Sequence, residues 1–263
     1  MCSSYTLGCR VAAVWAGVLL VASFAPAAAA SIIYTKSFTN NAVPDQNQTL
    51  AFHGWGARVG SACTDQSGGG ASGVSYYIGS GTTPGLAYTT VAAADWRSLV
   101  ATTTALGSGF AAVDQSAYSS LTFSWEQWNG NLNQKSQLAV EIGGAWYVSK
   151  DAFSTALVYG VSGGNAVTNG EWKSIALASA SGWYALTVNP DVSMGVGSAV
   201  SLPTTGSITG AGLYCTASSG SDALLLDDFQ ISGVAVVPEP GILALLVGGL
   251  LGPLAGARRK RNK

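Results

Sequence analysis

Between residues 31 and 236 the chain alternates short apolar runs with clusters of turn residues, and the runs carry a period of two. Leu121, Phe123 and Trp125 interleave with Thr122, Ser124 and Glu126, which predicts a strand with one buried and one wet face. Leu138, Val140 and Ile142 interleave with Ala139 and Glu141 in the same way. Gly143-Gly144 then offers a two-residue turn where positive φ costs little, and Trp146 and Val148 continue on the next strand. Further strands are expected over Ile32–Phe38, Val74–Ile78, Trp172–Leu177, Trp183–Val188, Ile208–Cys215 and Ala223–Ile231. Turn clusters separate them, among them Ser67-Gly68-Gly69-Gly70, Asn129-Gly130 and Ser162-Gly163-Gly164-Asn165. No 11-residue window carries a helical stripe. The expectation is an all-β domain of about ten strands, a two-sheet antiparallel β-sandwich of jelly-roll type.

Both ends depart from this pattern. Met1–Arg10 holds a single cation, Val11–Ala25 is apolar, and Ala28-Ala29-Ala30 supplies small residues before Ser31. This is the layout of a secretory signal peptide over 1–30, cut between Ala30 and Ser31. Cys2 and Cys9 leave with it. At the other end Val237-Pro238-Glu239-Pro240 precedes a charge-free run, Gly241–Ala257, and the chain closes on Arg258-Arg259-Lys260-Arg261-Asn262-Lys263. As a helix those 17 residues reach about 25 Å, just short of a hydrocarbon core about 30 Å thick. The basic cluster reads as a cytoplasmic stop, which leaves residues 31–236 outside the membrane.

Taking off both ends changes the charge. The whole chain is at −1, but residues 31–236 hold six Lys and Arg against 12 Asp and Glu, so the exported part is at −6. Without a basic patch, nucleic acid is excluded as a partner. Two cysteines remain, Cys63 and Cys215. In an oxidising compartment they form a candidate disulfide that closes a long loop.

The tail, with Val237, Pro238, Glu239 and Pro240, the apolar run and the basic stop Arg258, Arg259, Lys260 and Arg261, resembles the PEP-CTERM sorting signal of Gram-negative bacteria. That resemblance covers residues 237–263 only. It implies recognition and processing by an exosortase, export across the inner membrane, and a final place in the cell envelope or an extracellular polysaccharide matrix. Before processing, the tail implies a transmembrane helix in the inner membrane.

Candidate chemistry in the middle is sparse. Trp128, Asn129 and Asn131 follow Trp125-Glu126-Gln127 and form a candidate sugar contact, with a ring to stack and amides to bond hydroxyls. Asp227 falls on the face of Leu225, Phe229 and Ile231, so its carboxylate needs hydrogen bonds, a cation or a bulge. The stretch Leu224–Ile231 resembles the closing strand of jelly-roll carbohydrate-binding modules and lectin-like domains. That resemblance implies that Asp227 and Asp228 help hold a structural Ca²⁺. No cofactor is otherwise required.

Enzyme signatures are lacking. His53, the only histidine, sits in Phe52-His53-Gly54-Trp55, which reads as a strand end, and Glu126, Glu141 and Glu171 are isolated acids. The reading is therefore a non-catalytic envelope or matrix protein. A carbohydrate-binding module is the alternative, and a glycosidase a more distant third. An exposed Trp or Tyr pair on one concave face would favour the second, and two facing carboxyls the third.

Overall fold

The Gly143-Gly144 turn forms as expected. Both glycines take positive φ (61° and 79°), and the hairpin they close pairs Ile142 with Ala145 and Glu141 with Trp146. Around it the computed structural model describes residues 29–37, 50–67, 74–77, 86–90, 97–106, 109–129, 134–155, 170–217 and 223–236. For residues 52, 74–77, 86–90, 128, 129, 217 and 223–225 only the backbone is described. The chain divides into two compact units, Ala30–Val234 and a second made of Met1–Ala29 with Ala235–Lys263. The apolar segments of both ends and the sorting motif lie outside the described residues, among which no helix is long and apolar enough to cross a membrane.

The described residues hold 15 strands. In chain order they are β1 (Ala30–Lys36), β2 (Gly56–Val59), β3 (Thr64–Asp65), β4 (Val74–Tyr77), β5 (Leu86–Thr90), β6 (Arg97–Thr103), β7 (Val113–Asp114) and β8 (Tyr118–Asn129). Then come β9 (Gln134–Ile142), β10 (Ala145–Phe153), β11 (Glu171–Ala176), β12 (Trp183–Asn189), β13 (Ser193–Val200), β14 (Ser207–Ala217) and β15 (Ala223–Ala235). The strands pair antiparallel; for example, β14 runs against both β6 and β9. Six strands form one sheet in the order β11-β8-β15-β5-β4, with β1 also on β15. Nine form the other, β13-β12-β10-β9-β14-β6-β2-β3, with β7 on β14. The central quartets β11-β8-β15-β5 and β10-β9-β14-β6 have jelly-roll connectivity, because β5→β6, β8→β9, β10→β11 and β14→β15 each cross from one sheet to the other. The hairpin β12–β13 extends the larger sheet.

The inner faces of both sheets meet in one core. Leu121, Phe123 and Trp125 of β8, Leu138, Val140 and Ile142 of β9, and Ile208, Ala211 and Leu213 of β14 are all buried in it. Trp55 stands edge-on to Phe229 at 5.2 Å and donates from Nε1 to the Tyr34 hydroxyl at 3.0 Å, so its polar handle is satisfied. A buried polar bridge crosses between the sheets. Gln127 accepts from Trp125 Nε1 (3.1 Å) and from Ser136 Oγ (2.5 Å), and it donates to Phe153 O (3.3 Å).

Four expectations are corrected here. The strand count is higher, because the short strands β2, β3 and β7 and the uniformly buried β6 carry no alternation. Residues Leu50–His53 form a 3-10 turn rather than a strand end. Leu226 and Asp227, successive residues, are both buried, because Asp228 adopts φ 46° and interrupts the alternation. Finally, Cys63 and Cys215 are free thiols. Cys215 faces the inter-sheet core with Leu213, whereas Cys63 packs with Tyr214 on the outside of the same sheet. Strand alternation thus places the sheet itself between the two sulfurs.

Candidate functional site

The larger sheet has a second core on its outer face. Leu99 and Ala101 (β6), Ala139 (β9), Val148 (β10), Leu186 (β12), Met194 (β13) and Tyr214 (β14) are buried there with Cys63. These side chains project away from the inter-sheet core, so something else must cover them. The cover is the sheet itself. Arg97 Nη1 donates to Met194 O (3.1 Å), Met194 N to Ser61 O (2.8 Å), and Asp191 N to Cys63 O (3.2 Å). Arg58 adds an ion pair with Asp191 at 3.9 Å. These contacts tie the β12–β13 hairpin to the β2–β3 turn, which are opposite margins of one sheet. The sheet therefore curls around its outer face and makes it concave.

Three apolar side chains pack against this second core while staying half-exposed: Trp146, Tyr184 and Val188. Trp146 is paired with Glu141 on β9, and Glu141 is paired in turn with Gly210 on β14. A Cβ placed at Gly210 would lie 3.0 Å from Trp146 Cη2, from Glu141 Oε2 and from Thr103 Cγ2. The indole thus spans β9 to reach β14, and with strands about 4.8 Å apart it does so only by lying along the sheet. Glycine at 210 leaves the space for it. The ring is thus held along the strands, half-exposed.

Glu141 is fixed beside that ring. The register of β14 against β9 slips between Ile208 and Gly210, and this bulge brings the Thr209 hydroxyl to donate to Glu141 Oε2 at 2.9 Å. Tyr184, next to Val148 on the neighbouring strand, carries Lys150 Nζ 5.2 Å from its ring centroid. Across the four central strands the register sets Trp146 and Val148, Ala139 and Glu141, Gly210 and Gly212, and Ala101 and Thr103 on this face. Glu141 is the one acid among them. The arrangement offers a flat apolar ring, a second ring with a cation over it, and one carboxylate that accepts hydrogen bonds.

The residues singled out in the sequence do not gather here. Trp128 and Asn129 lie on the β8 backbone, in the other sheet; their side chains, and Asn131, lie outside the described residues. Their neighbours Trp125, Glu126 and Gln127 are buried, so that much of the polar-aromatic patch is structural. Burial, then the charge of Asp228, raises the pKa of Glu126. Asp227 Oδ1 accepts from Asp228 N at 2.7 Å and from Ser37 Oγ at 3.5 Å. Among the described residues no three His, Cys, Asp or Glu side chains come together as metal ligands. Ala30 and Ser31 open β1, where they pair with Val234 and Gly233. Ala28, Val237–Pro240 and Arg258–Arg261 lie outside the described residues. The signal the sequence did hold is the hairpin: a two-residue turn at 143–144 sets Glu141 and Trp146 directly opposite each other.

No family model matches the chain, and no curated protein does. Among solved structures it is similar to the agarase AgWH50C, at 12% identity and a TM-score of 0.41 over 80% of this chain and 25% of that one. An exo-beta-agarase gives 12% identity and 0.40, with 26% of its length covered. The chain thus spans about a quarter of either agarase. The CBM22-1 xylan-binding domain of Paenibacillus barcinonensis Xyn10C is covered in full by 81% of this chain, at 16% identity and 0.35. A cyclase from Fischerella sp. TAU, also covered in full, gives 11% identity and 0.41.

Proposed function

We propose that the protein is a non-catalytic glycan-binding protein of the cell envelope or extracellular matrix, with the concave outer face of the larger sheet as its binding surface. The observation that carries this reading is the Trp146 indole lying along that face, with Glu141 held beside it by Thr209. A pyranose has an apolar face that stacks on such a ring and hydroxyls that donate to such a carboxylate. The net charge of −6 on residues 31–236 favours neutral over acidic polymers, which like charge would repel. Hydrolysis calls for two carboxyl groups flanking one bond, and this face carries a single acid on its central strands, which supports binding without turnover. The test is retention on an array of neutral and acidic polysaccharides, with release of reducing ends followed alongside. Retention by a neutral polymer without release is the expected result. Release would make it a glycosidase, and failure to bind any polymer would return it to a purely structural matrix role.

Delivery rests on the termini. The order of Pro238-Glu239-Pro240, apolar run and terminal Arg-Arg-Lys-Arg supports exosortase sorting after export. Replacing Pro238, Glu239 and Pro240 with alanine should leave export intact and stop removal of the tail, read by fractionation with a tag near Ser31. Unchanged processing would remove the exosortase from the proposal.

A further inference from the structure

A cavity lies away from the concave face, where one end of the sandwich opens between its sheets. It holds about 350 Å³, within the range of about 300–1,000 Å³ typical of small-molecule sites. One wall is the start of β8, with Tyr118, Ser120 and Leu121; the other is Trp183 at the start of β12. Gln115 and Thr204 close the rim. Tyr118 is held in place by Gly233, whose missing Cβ would lie 2.6 Å from Tyr118 Cδ1.

The lining decides the ligand. It contains no Asp, Glu, Lys, Arg or His, so a charged ligand would be desolvated without a partner. An acyl chain would bury the Ser120 and Thr204 hydroxyls and the Gln115 amide without replacing their water bonds. A neutral ring with an apolar face and a hydroxyl edge satisfies both conditions, with its face on the half-exposed Tyr118, Leu177 and Leu202 and its edge on the rim. We propose that this cavity binds one neutral hexopyranose unit, at a site separate from the concave face and independent of what that face binds.

Ligand-observed NMR on the full exported chain tests this, with methyl β-D-glucopyranoside and methyl β-D-galactopyranoside as probes and glucuronate and hexanoate as controls. Saturation transfer to at least one glycoside and to neither control is the expected result. In a Trp146→Ala background, which removes transfer through the concave face, Ala178→Trp and Thr204→Trp place an indole into the cavity from two exposed positions, and each should abolish the transfer with the melting temperature unchanged. Trp146→Ala should leave it intact while weakening polymer retention, so the two sites fail separately. Transfer to no glycoside, transfer that survives both filling variants in folded protein, or preference for hexanoate would overturn the proposal.

Discussion

Cys215 is enclosed by the core, and burial pushes its thiol up to about 12, so almost none of it is thiolate at neutral pH. Cys63 is buried on the other side of the sheet, and its pKa is also raised, by burial above all. Native protein should therefore react slowly with a thiol reagent, and both thiols should appear at once on denaturation without reductant. A denatured, unreduced sample with no titratable thiol would mean that the cysteines pair. His53 gives a second residue-scale expectation. Burial, then the charge of Lys36, pushes its pKa down from 6.5 to about 4. Between those values the unfolded chain binds a proton that the folded chain refuses, so this contribution is complete above about pH 6.5 and is lost as pH falls towards 4. Melting temperature should fall across that window, and His53→Gln should flatten the fall. A slope unchanged by the substitution would assign it to other groups.

Among the elements, β15 shows how a local rule yields to hydrogen bonding. Period two puts Asp227 with Leu225, whereas the Asp228 backbone turns so that its N–H meets the Asp227 carboxylate. That bond and the Ser37 hydroxyl give Asp227 Oδ1 two hydrogen-bond donors. Asp227→Ala should cost about 1–3 kcal/mol, the price of losing a buried acceptor. Melting of either protein should not respond to chelator or to Ca²⁺, and a chelator-dependent shift in the wild type would restore the calcium reading. On β14, a Cβ at Gly212 would lie 2.2 Å from Val100 O, and that backbone cannot yield. Gly212→Ala should destabilise by at least about 1–3 kcal/mol. At Gly210 the crowding atoms are side-chain ends at 3.0 Å, so Gly210→Ala should fold, lift Trp146 from the sheet and weaken binding. The hairpin of β9 and β10 was legible because its alternation and its Gly-Gly turn agree. β6 was not, because Leu99, Val100 and Ala101 are buried on both faces and show no alternation. β13, with Gly195 and Gly197 among small residues, lacks the side chains from which a strand is read.

At the scale of the whole molecule, the proposed function rests on a sheet that curls until its own margins meet. A flat sheet would leave Leu99, Val148, Leu186 and Met194 in water; the curl buries them and leaves Trp146 and Tyr184 at the edge of what it covers. Half of this was written in the sequence, because Glu141 and Trp146 flank a two-residue turn. The other half was not. Tyr184 joins them only through the register of β12 on β10, and the concavity depends on contacts such as Arg97 to Met194, 97 residues apart. Trp128, the candidate contact read from the sequence, lies on the β8 backbone of the other sheet, next to the buried Trp125, Glu126 and Gln127. The most direct test compares polysaccharide affinity of the wild type with that of Trp146→Ala, Tyr184→Ala and Glu141→Gln, alongside their melting temperatures. The prediction is a loss of about tenfold or more for Trp146→Ala, about 1.4 kcal/mol, and smaller losses for the other two, with all four proteins folded. Unchanged affinity in a folded Trp146→Ala variant would contradict the assignment of this face.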